Sequence, residues 1–263
     1  MVIPLGDLEK TRIVPFATYA LIAINVVMYL YEVDRGMTFQ TSYAATPYEI
    51  SHNVDLAEPF DLVIKRWEMD PAGPNRVGAE QETINQGPVP FPVWFTIITA
   101  MFLHGSPLHL AGNMLYLWIF GDNVEEVLGR ARYILVYLSC GVIGTLLQIA
   151  ANPDSMIPTL GASGAIAGVM GAYLIWFPHN RVRVLVFRII AQMPAVFVIG
   201  GWIILQIWQG VGSVGRLGNS GGVAYLAHVG GALTGIFVAF LFHDRARRLQ
   251  AEHDAQDGWI YQS

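Results

Sequence analysis

The chain has 263 residues, 54% of them hydrophobic and 13% charged, with a mean hydropathy of +0.44. A soluble domain carries about 25% charged residues, so an ordinary water-soluble globule is excluded, as are a disordered chain and a coiled coil. The net charge of −5 leaves no basic face for nucleic acid, and the single cysteine, Cys140, excludes a disulfide framework and a multi-thiolate metal site.

What remains is a polytopic membrane protein. A spanning helix needs about 20 mostly apolar residues. Six stretches qualify: 13–31, 108–127, 133–151, 161–177, 189–209 and 223–242. They predict an all-α bundle of six transmembrane helices. The first run is too long for a signal h-region and no small-residue cleavage site follows it, so it is expected to stay as a helix. The run 93–103 is apolar but too short to span. Pro88, Pro90 and Pro92 precede it, and it reads as an interfacial or re-entrant segment of the first loop.

Charge orients the bundle. With the N-terminus cytoplasmic, ten of the fifteen basic residues lie inside: Lys10, Arg12, Arg130, Arg132, Arg181, Arg183, Arg188, Arg245, Arg247 and Arg248. Of the other five, Arg35, Lys65, Arg66 and Arg76 share one long loop, and Arg216 stands apart. Long loops count little in the positive-inside rule, so the expected topology is N-in, C-in. The expected organisation is a short cytoplasmic N-terminus (1–12), a six-helix membrane domain (13–243) containing the long extracytoplasmic first loop (32–107), and a cytoplasmic tail (244–263). Ten acidic residues lie between Glu32 and Glu82, and solvation is the expected reason for them. The end of the tail, 250–263, reads as a short solvated segment.

Polar groups inside spans are expensive and are functional candidates by default. They are His109, Asn113, Ser163 and His228. In the N-in arrangement the second, fourth and sixth helices all enter from the outer side, which puts these four residues at a similar depth. His109 and Asn113 are spaced i, i+4 on one helix face. The ordinary reading of such a pair is an interhelical hydrogen bond, and that of Ser163 is a small residue in a packed helix. Gly164, Gly168 and Gly171 give the fourth helix a close-packing face, and Gly231 and Gly235 put another beside His228. Docking of those faces would bring His228 to Ser163, the geometry of an activated nucleophile. No Asp or Glu occurs between Asp154 and Asp244, so a Ser–His dyad fits better than a triad with a carboxylate. The imidazole would then need packing or another acceptor to orient it. His109, Asn113 and the Ser163 amide are candidate donors to a developing oxyanion.

Three motifs in sequence order resemble those of the rhomboid family of intramembrane serine proteases. They are His104-Gly-Ser-Pro-Leu-His109-Leu-Ala-Gly-Asn113, Gly161-Ala-Ser163-Gly164, and Ala227-His228-Val-Gly230-Gly231-Ala-Leu-Thr-Gly235. Each is weak alone; the three together are specific. The resemblance implies that Ser163 is the nucleophile and His228 the general base. It places His109, Asn113 and the Ser163 amide at the oxyanion hole, and His104, Gly161, Gly164, Gly231 and Gly235 in supporting positions. It gives Glu125 a structural place. Two features depart from some members: Ala167 stands where an aromatic ring can support the imidazole, and Phe95 and Thr96 replace a Trp-Arg pair.

The activity so implied is hydrolysis of peptide bonds in transmembrane proteins, with no metal, nucleotide or redox cofactor. Expected partners are the lipid bilayer and substrates whose helices carry helix-weakening residues near the outer face. The expected location is a bacterial plasma membrane, multi-pass. Two other readings compete. An inactive rhomboid-like protein that binds membrane clients would lack the Ser–His pair, and a transporter or channel would carry charged residues near the midplane.

Overall fold

The computed structural model describes residues 2–9, 11–68, 76–213 and 223–260. Lys10, Asp70, Arg216 and residues 261–263 therefore lie outside the described residues. Helices dominate. They are α1 (Phe16–Arg35), α2 (Met37–Tyr43), α3 (Pro47–His52), α4 (Thr96–Thr99), α5 (Pro107–Leu128), α6 (Arg130–Ala151), α7 (Ser163–Trp176), α8 (Ala195–Ser213), α9 (Tyr225–Leu241) and α10 (His243–Ile260). Among the described residues three helices are long and apolar enough to cross a membrane, or up to five if each of two bent helix pairs forms one span. One of those pairs joins the run 93–102 to α5 at 76°. At 14 residues, α7 is shorter than these, about 21 Å long at 1.5 Å per residue.

The all-α expectation is corrected by two small sheets. β1 (Val2–Asp7), β4 (Arg181–Val186) and β5 (Ile189–Pro194) form one in the order β1-β4-β5, and β2 (Phe60–Glu68) and β3 (Arg76–Ile84) pair as a hairpin. Ile189–Pro194 had read as the start of the fifth spanning stretch. It is a strand because the preceding Arg181-Val-Arg-Val-Leu-Val segment alternates with period two, burying Val182 and Val184 fully and turning its arginines outward. The chain turns back at Phe187, whose φ of 55° suits a two-residue hairpin, and helix begins only after Pro194.

The first loop is folded rather than merely solvated. Besides α2, α3 and the β2–β3 hairpin, it buries two of its carboxylates. Glu32 accepts the backbone N–H of His104 at 2.9 Å, and Glu49 accepts from Leu56 N and Gln86 Nε2 at 2.9 and 3.2 Å. Burial pushes the Glu49 carboxyl above its ordinary range. The C-terminal segment is helical, and its first turns pack on the bundle while residues 251, 252, 254 and 255 stay exposed. α10 packs on the bundle through buried Ala246, the Arg245 side chain donates to the Val127 carbonyl, and Gln250 Nε2 donates to the Trp176 carbonyl at 2.8 Å.

The core lies between α5, α6, α7 and α9 and includes Phe120, Tyr133, Tyr137, Val169 and Tyr173, all fully buried. Backbones approach closely where glycines face one another. A Cβ on Gly231 or Gly235 would overlap the carbonyl of Gly164 or Gly168, and one on Gly171 would overlap the carbonyl of Ala232. Such approach excludes side chains and fixes the register of α7 against α9. On the opposite side of the bundle, Glu125 of α5 accepts the N–H groups of Ala17 and Thr18 at 3.0 and 2.8 Å and the Thr18 hydroxyl at 2.8 Å. These are amides of the first turn of α1, which its own N-cap residue, Pro15, leaves without a side-chain acceptor.

Candidate active site

Ser163 opens α7, two residues beyond the point where Gly161 bends the chain at φ +124°. A side chain at 161 would be strained, and its Cβ would stand 2.8 Å from the imidazole of His109, so glycine suits the position twice over. Because Ser163 is the first helical residue, its N–H has no acceptor four residues back within α7 and lies at the positive end of the helix dipole.

His228 lies in the first turn of α9, buried, between α7 and α8. Its Nε2 is 2.7 Å from Ser163 Oγ. The register that brings them together is the one fixed by Gly231 against Gly164.

The other ring nitrogen of His228 has a partner that sequence reasoning missed. Nδ1 is 2.7 Å from Gln206 Oε1 on α8. Trp202, one turn earlier on the same helix, tilts its ring beside the imidazole with centroids 5.6 Å apart. The signal was present in the sequence: Gln206 is a lone polar side chain in the stretch from Ala195 to Trp208, and it is four residues from a tryptophan. The ring that Ala167 cannot supply from α7 comes from α8 instead.

Ser106 and Pro107 start α5 as N-cap and first helical residue, the Ser106 hydroxyl accepting the His109 N–H at 3.1 Å. That fixes His109 in the first turn and Asn113 one turn on. Both line a cavity of about 380 Å³ together with Ser163, His228, Tyr116 and Trp202. The Asn113 Nδ2 is buried without a hydrogen-bond partner beside this space. His104 lies below. Its ring is fully buried, edge-on to His109 at 5.2 Å, and its carbonyl accepts from Gln40 Nε2 at 3.0 Å. Its ring packs against the first turn of α5 through His109. Among the described residues no group of three or more His, Cys, Asp or Glu side chains is arranged to hold a metal ion.

The combination available is a hydroxyl and an imidazole in hydrogen-bond contact, an unpaired amide donor, and a helix N-terminus, all opening on one cavity. These are the parts of an acyl-transfer site.

Comparison with known proteins agrees on the region. A family model described as Rhomboid domain matches residues 92–245. The chain is 32% identical over 168 residues to Rhomboid protein 1, mitochondrial, of Saccharomyces cerevisiae, covering 59% of this chain and 45% of that protein. It is 36% identical over 146 residues to Rhomboid protease GluP of Bacillus subtilis, covering 56% of this chain and 25% of the relative. It is 30% identical over 161 residues to the bovine Presenilin-associated rhomboid-like protein, mitochondrial, with 56% and 38% covered. The chain thus spans less than half the length of each of these relatives.

Proposed function

Since the chain belongs to the rhomboid family, we propose that it is an intramembrane serine endopeptidase that cleaves transmembrane proteins with a Ser163–His228 dyad. The observation that carries this reading is the 2.7 Å contact between His228 Nε2 and Ser163 Oγ, made by two separate helices. In the proposed reaction Ser163 Oγ attacks the scissile carbonyl while His228 takes its proton. The imidazolium returns that proton to the leaving amine, and water then hydrolyses the acyl-enzyme. Asn113 Nδ2, the His109 ring and the Ser163 N–H take up the charge on the oxyanion.

The proposed membrane arrangement has six helices, α1 and α5 to α9, with both termini cytoplasmic and the first loop outside. The division into 1–12, 13–243 and 244–263 is then one of sides, since β1 and α10 pack on the bundle from the inner face. A hydrocarbon core is about 30 Å thick and α7 spans only about 21 Å, so one end of α7 must stop short of the surface. The segment 152–162 descends to meet it, and irregular backbone at that depth needs a polar cavity beside it. The cavity at Ser163 meets that need and lets water in.

A helical substrate hides its carbonyls in hydrogen bonds, so the preferred substrates carry Gly or other helix-weakening residues near the outer face. The chain is a membrane protein. Our reading puts it in a bacterial plasma membrane on account of its compact six-helix form, while relatives named for mitochondrion and chloroplast occupy organelles.

The test is cleavage of a labelled single-span substrate by the purified protein in detergent, with wild type set against Ser163→Ala and His228→Ala. A serine-directed phosphonate should label wild type and not Ser163→Ala. Cleavage that persists in Ser163→Ala would remove the nucleophile assignment. A protein that binds such substrates without ever cutting them would be the client-binding alternative.

A further inference from the structure

The His228 imidazole is held at both nitrogens, by Ser163 on α7 and by Gln206 on α8. An amide oxygen can only accept, so the nitrogen that meets Gln206 Oε1, Nδ1, carries the proton. In the neutral ring Nε2 then keeps its lone pair toward the Ser163 hydroxyl. We infer that Gln206 is a positioning residue for the proposed reaction, fixing the tautomer and rotation of His228 so that Nε2 takes the Ser163 proton. The inference rests on the proteolytic reading above and adds a third member to the dyad.

Three observations converge on it. Gln206 is itself buried within an otherwise apolar stretch, where an amide without a partner would be costly. Trp202 lies four residues before it on the same face of α8 and packs on the same ring, so the acceptor and the packing surface arrive together. Ala167, one turn after Ser163, offers neither. A carboxylate in this place would need desolvation of a full charge, whereas an amide dipole orients the ring and stabilises the imidazolium at lower cost. The base is therefore aligned by a helix that carries neither of the reacting groups. Movement of α8 away from α9 would take the acceptor and the ring with it.

The titratable groups that face His228 are Ser163 from α7 and His109 from α5; α6 presents Gly144 and Leu147 to this part of α9. Replacing Gln206 by Glu places a new negative charge against Nδ1 and by Leu removes the acceptor at similar size.

The experiment uses the full chain in detergent with a single-span substrate, measuring kcat, KM, the pH profile of kcat/KM and the thermal midpoint. Gln206→Leu should lower kcat about 10- to 100-fold while KM stays near wild type. Gln206→Glu should recover most of kcat and move the acid limb of the profile up by about one pH unit, because a carboxylate favours the imidazolium. Wild-type kcat and profile in a folded Gln206→Leu would overturn the inference, and so would an unmoved acid limb in Gln206→Glu. Should Gln206→Leu not fold, the acid limb in Gln206→Glu decides alone. Failure of the proteolytic reading is separable: there, wild type itself shows no Ser163-dependent cleavage.

Discussion

Gly231 lies so close to the carbonyl oxygen of Gly164 that no methyl group fits between them. One turn on, Gly235 stands in the same relation to Gly168. Any side chain there forces α7 and α9 apart, and with them Ser163 and His228. Gly231→Ala and Gly235→Ala should each cost about 1–3 kcal/mol in stability and most of the activity. Gly200→Ala on α8, where a Cβ meets nothing within 4 Å, should leave stability unchanged or raise it. Thermal midpoints in detergent separate these outcomes, and equal losses at 200 and 231 would contradict the interlock.

Asn113 offers a buried N–H group that nothing accepts. Such a donor costs free energy in the resting protein, and in the proposed reaction it is returned when an oxyanion forms. Asn113→Ala should therefore lower kcat about 10²- to 10³-fold with little change in thermal midpoint. A fall in midpoint with unchanged kcat would mean the amide is merely structural.

Glu125 satisfies two first-turn amides and one hydroxyl of α1 from a different helix. Glu125→Ala leaves those groups buried without acceptors and should cost about 2–4 kcal/mol. Amide hydrogen exchange should show the first turn of α1 opening before the rest of the helix.

Glu49 gives a pH prediction of definite sign. Its carboxyl is held above the ordinary value of 4.5 by burial, so the folded protein binds this proton more tightly than the unfolded chain does. Its contribution to stability is fullest below that value and is lost as pH rises through the folded pKa. Glu49→Gln keeps the acceptor oxygen and removes the ionisation. Its thermal midpoint should gain on wild type as pH is raised from 4.5 toward neutrality, and a constant gap between the two would disprove the assignment.

Much of this site was legible in the sequence because polar side chains stand out against an apolar background. His109, Asn113, Ser163 and His228 each interrupt a hydrophobic run, and the glycines spaced by three and four residues marked the faces that meet. Gln206 was legible on the same grounds. The expectation of packing or another acceptor was met by Trp202 and Gln206, but the sequence does not say which residue of α8 faces the imidazole, because that depends on how α8 docks against α9. The β4–β5 hairpin was hidden for another reason: 189–194 runs into an apolar helix with no charged residue between, and hydropathy alone does not distinguish the two periods. The burial of Glu32 and Glu49 depends on partners in Leu56, Gln86 and His104, distant in sequence, which composition cannot reveal.

The β1–β4 pairing matches Val2 with Val186 and Asp7 with Val182. β1 is made long before β4, its neighbour in the sheet, with α1 and α5 to α7 lying between them in the chain. The sheet can close only when the ribosome has moved past residue 186. Closure therefore comes after α7 has been made, and it stitches the segment before α1 to the link between α7, which carries the hydroxyl, and α8, which carries the amide.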